Sequence, residues 1–89
     1  MTYKEMPGCA GDAKAAVIDT LVELGAEFRG ESGSPCYEVN NEYFRIDGRK
    51  IRVCTEDDLF ISLWGSKALV ETVYSKAIEK MRARGCVGV

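Results

Sequence analysis

The sequence predicts an α+β fold. In outline it is a two-layer sandwich: a helix, an antiparallel meander of four to five strands, then a second helix, with both helices on one face of the sheet. Three observations predict it. Apolar residues recur at helical spacing near both ends of the chain. The stretch between them breaks into short runs that alternate apolar and polar residues, separated by turn formers. Strands also follow strands without helices between them, which points to α+β and not to a parallel α/β sheet.

The first ten residues, ending Pro7-Gly8-Cys9-Ala10, read as a loose lead-in. Asp12 is a good N-cap acceptor and opens the first helix, whose stripe is Ala13, Val17, Ile18, Leu21 and Leu24. Gly25 closes it, because glycine takes the left-handed cap conformation without penalty. Ala26 to Arg29 read as a short first strand, and Gly30-Glu31-Ser32-Gly33-Ser34-Pro35 as a flexible connection.

Cys36-Tyr37-Glu38-Val39 and Glu42-Tyr43-Phe44-Arg45-Ile46 both alternate, with Asn40-Asn41 able to make the tight turn between them. That turn would set Tyr37 opposite Phe44 and Glu38 opposite Tyr43. Asp47-Gly48 is a strong hairpin signal leading to Lys50-Ile51-Arg52-Val53-Cys54. An acidic turn, Thr55-Glu56-Asp57-Asp58, precedes the last strand, Leu59 to Trp64. Ser66 caps the final helix. Leu69, Val70, Val73, Tyr74, Ala77, Ile78 and Met81 form its apolar face, and Lys80, Arg82 and Arg84 complement its dipole. Gly85 closes this helix, leaving Cys86 to Val89 as a short tail.

Residues 1–89 suit one domain, and 46% apolar with 29% charged residues is ordinary for a globular chain. The net charge of −2 weighs against a dedicated nucleic-acid binder. It is unevenly spread: residues 1–41 carry three basic and seven acidic side chains, residues 42–89 nine and seven. The N-terminal residues hold no apolar stretch of signal-peptide length, so the expected compartment is the cytoplasm.

Cys9, Cys36, Cys54 and Cys86 lie 27, 18 and 32 positions apart, and the chain has no histidine. Structural zinc sites draw ligands in close pairs, so free thiols are the expectation, with no metal and no cofactor. No catalytic residue is assigned either. A cysteine nucleophile lacks its histidine partner. Asp57-Asp58 reads as a solvated turn, Gly30 to Ser34 lacks the lysine of a phosphate loop, and Gly65-Ser66-Lys67 reads as ordinary capping.

One surface is left as a candidate. Strand alternation puts Phe44, Ile46, Ile51 and Val53 against the helices, and sends Cys36, Glu38, Tyr43, Arg45, Lys50, Arg52 and Cys54 to the other face. In the last strand, Leu59, Ile61 and Leu63 are assigned to the core and Phe60, Ser62 and Trp64 to the outer face, since a buried serine would need a partner. The opposite register exchanges the two sets. Tyr43, Arg45, Arg52, Phe60 and Trp64 are therefore the expected interaction surface of a small, non-enzymatic binding or regulatory module. Its partner would be another protein or a second copy of the chain; the alternative is single-stranded nucleic acid on the same face. A competing arrangement has Trp64 folded over the start of the last helix and Glu38 neutralising Arg45.

Overall fold

The computed structural model describes residues 1–34, 36 and 38–89. The order of elements is β1 (Thr2–Glu5), α1 (Ala10–Glu23), β2 (Glu27–Ser34), β3 (Val39–Ile46), β4 (Arg49–Glu56), β5 (Phe60–Gly65) and α2 (Lys67–Ala83). The five strands form one open antiparallel sheet in the order β1-β5-β4-β3-β2. The meander is thus β2 to β5, and β1 adds beyond β5. The fold is α+β, with both helices against one face of the sheet.

That face supplies Phe44, Ile46, Ile51, Val53, Ile61 and Leu63, all buried. Against them pack Ala13, Ala16, Val17 and Leu21 of α1 and Leu69, Val70, Val73, Ala77, Ile78 and Met81 of α2. The polar Thr20 is also buried in α1, its hydroxyl donating to the Ala16 carbonyl at 2.8 Å. The helices run antiparallel: Glu23 pairs with Lys80 at 2.7 Å and Asp19 with Arg84 at 2.6 Å. Among the described residues no helix is long and apolar enough to cross a membrane.

The Asp47-Gly48 hairpin forms as expected. Ile46 pairs with Arg49, and φ is +49° at Asp47 and +78° at Gly48, the double left-handed conformation of a two-residue turn. Gly65 serves a different need. A Cβ there would come within 2.7 Å of the Lys50 carbonyl oxygen, so β4 and β5 approach only because that atom is missing.

Several boundaries differ from the sequence reading. The lead-in contains β1, and Met6 after it is 6% exposed. Thr2 and Lys4 face the helices, where Lys4 Nζ sits 4.6 Å from the Tyr74 ring centroid; neither inward residue is apolar enough to mark a strand. Helix α1 starts at Ala10 with Cys9 as N-cap, the Cys9 carbonyl accepting from Ala13 N–H; Asp12 lies inside the first turn. Residues 30–34 belong to β2, which a bulge at Arg29 and a φ of +124° at Gly30 keep paired with β3.

Asn40 and Asn41 lie inside β3, opposite Thr55 and Cys54, and make no turn. Glu38 precedes β3 with a φ of +49°, so it does not face Tyr43. Phe44 pairs with Phe28, the rings edge-on at 5.5 Å. The expected pairing through Tyr37 lies outside the described residues. Thr55 and Glu56 belong to β4, so the next turn is Asp57-Asp58-Leu59. The short C-terminal tail is anchored: Cys86 and Val89 pack against the core.

Candidate functional site

Residues paired across an antiparallel sheet point to the same side, so the register sorts the outer face into rows. One row is Gly30–Tyr43–Arg52–Trp64–Tyr3, crossing all five strands from β2 to β1. The next is Ser32–Asn41–Cys54–Ser62–Glu5, and beyond it lies Ser34–Val39–Glu56–Phe60. On the other side of the aromatic row, Glu27–Arg45–Lys50 follow. All five residues expected at the interaction surface therefore share this face.

They do not form one cluster. Trp64 and Phe60 stand four residues apart on β5, roughly 13 Å along the strand. Around Trp64 the packing is close. The Arg52 guanidinium lies 4.7 Å from the indole centroid and the Tyr3 ring 4.6 Å from it, tilted by 48°. The indole Nε1–H donates to Ser62 Oγ at 3.1 Å, which ties the ring along its strand and covers the serine. Tyr43 is held by a hydroxyl–hydroxyl hydrogen bond to Ser32 at 2.9 Å. Trp64 thus does not fold over α2. Glu38 does not neutralise Arg45 either, since it sits at the far end of β3.

The last strand keeps the preferred register. Ile61 and Leu63 are buried, while Phe60 is 50% exposed on the outer face. Leu59 is the exception, lying in the turn at 66% exposure. Cys54 and Ser62 point outward yet are buried, because they are small and stand between larger neighbours. Cys36 and Glu38 lie outside the strands and do not join this face.

Charge divides the outer face along the strands. A hollow of about 400 Å³ at one end is lined by Arg29, Arg45, Lys50 and Arg52 together with Tyr43 and Trp64. A smaller hollow, about 210 Å³, lies at the other end between Tyr3, Glu5, Glu56, Phe60 and Ser62. Within the described residues, Arg29 is paired with Glu27 at 2.9 Å. Arg45, Lys50, Arg52, Glu5 and Glu56 take no part in an ion pair there. The Nε atoms of Arg45 and Arg52 are buried without a hydrogen-bond partner among the described residues.

Sequence reasoning missed Tyr3, Glu5 and Glu56 as members of this face. The signal for the first two was the alternation Thr2-Tyr3-Lys4-Glu5, with two good strand formers, hidden by the absence of an aliphatic residue. Glu56 was assigned to a turn begun two residues too early, at Thr55 instead of Asp57. Fold and face together define an α+β two-layer protein whose sheet carries a second, uncovered face of aromatic and arginine residues. No known protein family, no curated protein and no solved structure matches the chain.

Proposed function

We propose that this chain is a small non-enzymatic binding module that engages a protein partner through the outer face of its sheet. The observation that carries the reading is the Tyr43–Arg52–Trp64–Tyr3 row on a face that no element among the described residues covers. Aromatic and arginine side chains are the residues enriched where binding energy concentrates. Here they are held in place by mutual stacking and hydrogen bonds, so little side-chain freedom is lost on association.

Single-stranded nucleic acid fits the same geometry less well. Stacking a base needs an open ring face. One side of Trp64 carries Arg52, and Tyr3 packs on it as well, so a base would have to displace one of them.

The test is the double change Phe60→Ala with Trp64→Ala. Truncating a core aromatic costs about 3–5 kcal/mol, enough to unfold a small domain. Phe60 is half exposed and Trp64 only partly buried, so the double variant is expected to stay folded in circular dichroism melts and to lose association in sedimentation. A variant that unfolds outright would return these rings to the core. One that folds and still associates would place the binding surface elsewhere.

A further inference from the structure

The division of charge along the outer face identifies what covers it. Outward residues on β4 run Lys50, Arg52, Cys54, Glu56, and beside them on β5 stand Trp64, Ser62 and Phe60. From Lys50 to Glu56 is roughly 20 Å of strand, so cationic and anionic ends are well separated. Arg29 at the cationic end is paired with Glu27, but Arg45, Lys50 and Arg52 there, and Glu56 at the other end, take part in no ion pair of their own chain among the described residues. A surface carrying both signs, one at each end, is complementary to itself when reversed.

We propose that the partner on this face is a second copy of the chain, stacked face to face about a two-fold axis that runs across the strands through the Asn41–Cys54–Ser62 row. The proposal rests on the reading that the outer face is a binding surface, and it names the occupant. Two-fold dimers are the commonest oligomers, and face-to-face sheets pack with their strands nearly aligned.

The contacts follow from the register. An axis along that row lays each strand over its own copy and reverses its direction. Residues two positions to either side of the row then meet. Arg52 and Glu56 each stand two residues from Cys54, so Arg52 of one copy faces Glu56 of the other, twice per dimer. Trp64 and Phe60 each stand two residues from Ser62, so Trp64 faces Phe60. Tyr43 likewise faces Val39 across Asn41. Lys50, two residues beyond Arg52, approaches the Asp57-Asp58 turn. Cys54 and Ser62 on the axis are small and already buried by their larger neighbours, so the contact between copies falls on the rows to either side.

One like-charge encounter remains, between the two copies of Glu5, and it falls on the β1 edge, where solvent screens it. The other in-plane axis, along the strands, would set Arg52 over Arg52 and Glu56 over Glu56. Complementarity of charge selects the first.

The experiment is a charge exchange read by sedimentation, from roughly 10 µM to 1 mM, a range suited to an interface of modest area. The wild-type chain is expected to dimerise reversibly. Arg52→Glu alone sets two carboxylate pairs against each other, and Glu56→Lys alone sets two cation pairs. Each is expected to weaken self-association at least tenfold while leaving the melt of the monomer cooperative. Mixed one to one, they regain both opposite-charge pairs and are expected to form a heterodimer within about threefold of the wild-type affinity. Arg52→Gln serves if Arg52→Glu disturbs the fold, and is expected to weaken both the homodimer and the mixture.

A wild-type chain that stays monomeric throughout overturns the proposal. So does a mixture that fails to recover, since the face would then pair in another way. If a monomeric wild type binds a labelled single-stranded oligonucleotide, the occupant is nucleic acid and the second copy is excluded. If the wild type dimerises and the Phe60→Ala, Trp64→Ala variant dimerises equally well, the binding-surface reading falls with it.

Discussion

The four cysteines differ in exposure, and their reactivity should separate accordingly. Cys9 and Cys36 are exposed, Cys54 is buried and Cys86 is half-buried, all as free thiols. Partial burial pushes the Cys86 thiol up, with the carboxylate of Asp12 adding to the effect and Arg84 opposing it. The thiolate is the nucleophile, so a raised pKa means less of the reactive form at a given pH. Native-state alkylation near pH 8 is therefore expected to label Cys9 and Cys36 first and Cys86 later. Raising the pH should accelerate Cys86, and Cys54 should react only when the chain unfolds. Peptide mapping by mass spectrometry gives the order. Fast labelling of Cys54 in the folded chain would mean that its row on the outer face is open, not covered by its larger neighbours.

At the level of elements, two turn signals of similar appearance had opposite outcomes. Asp47-Gly48 makes its hairpin because both flanking runs are strands of matching length that bury Phe44, Ile46, Ile51 and Val53 on one side. Asn40-Asn41 does not turn, because β3 continues through it to pair with the full length of β4. Gly48 is the place to test the first. With φ at +78° and nothing within 4 Å of a built Cβ, Gly48→Val meets no steric neighbour and only backbone strain. The expected cost is about 1–3 kcal/mol, read as a lower denaturation midpoint at unchanged slope. An unchanged midpoint would mean the turn is built differently in solution.

Both helices were legible because each presents a continuous apolar stripe, and β4 and β5 because their inward residues are aliphatic. Strand β1 was not, and β2 was legible only at its start, where Ala26 to Arg29 read as a strand, and not over residues 30–34. Inward positions on β1 are Thr2 and Lys4, and those of β2 beyond Phe28 are Glu31 and Gly33, which carry no hydrophobic alternation. These strands are held by backbone pairing at the two edges of the sheet, and pairing leaves little trace in a single sequence. The candidate face was legible for the same reason as the core: fixing one side of β3, β4 and β5 fixes the other. What escaped were Tyr3 and Glu5, because they rest on β1, and Glu56, because β4 runs two residues into the assigned turn.

For the whole molecule, the one-sided core has a thermodynamic consequence. The buried apolar residues lie between the sheet and the helices, while no element among the described residues covers the outer face. Self-association on that face would then add to stability by mass action, because the second copy binds only the folded state. In a two-state equilibrium between folded dimer and unfolded monomers, each tenfold rise in concentration contributes about 1.4 kcal/mol per dimer, or about 0.7 kcal/mol per chain. For a domain of this size that corresponds to an increase in Tm of roughly 3–5 °C per decade. The wild-type chain is expected to show this slope in scanning calorimetry at concentrations where the dimer predominates. The Phe60→Ala, Trp64→Ala variant should melt at one temperature throughout, since it keeps the core and loses the second copy. A concentration-independent melt of the wild type would mean that the folded monomer is the unit whose stability is measured. The arginine and aromatic residues of the outer face would then have to be explained by a partner other than the chain itself.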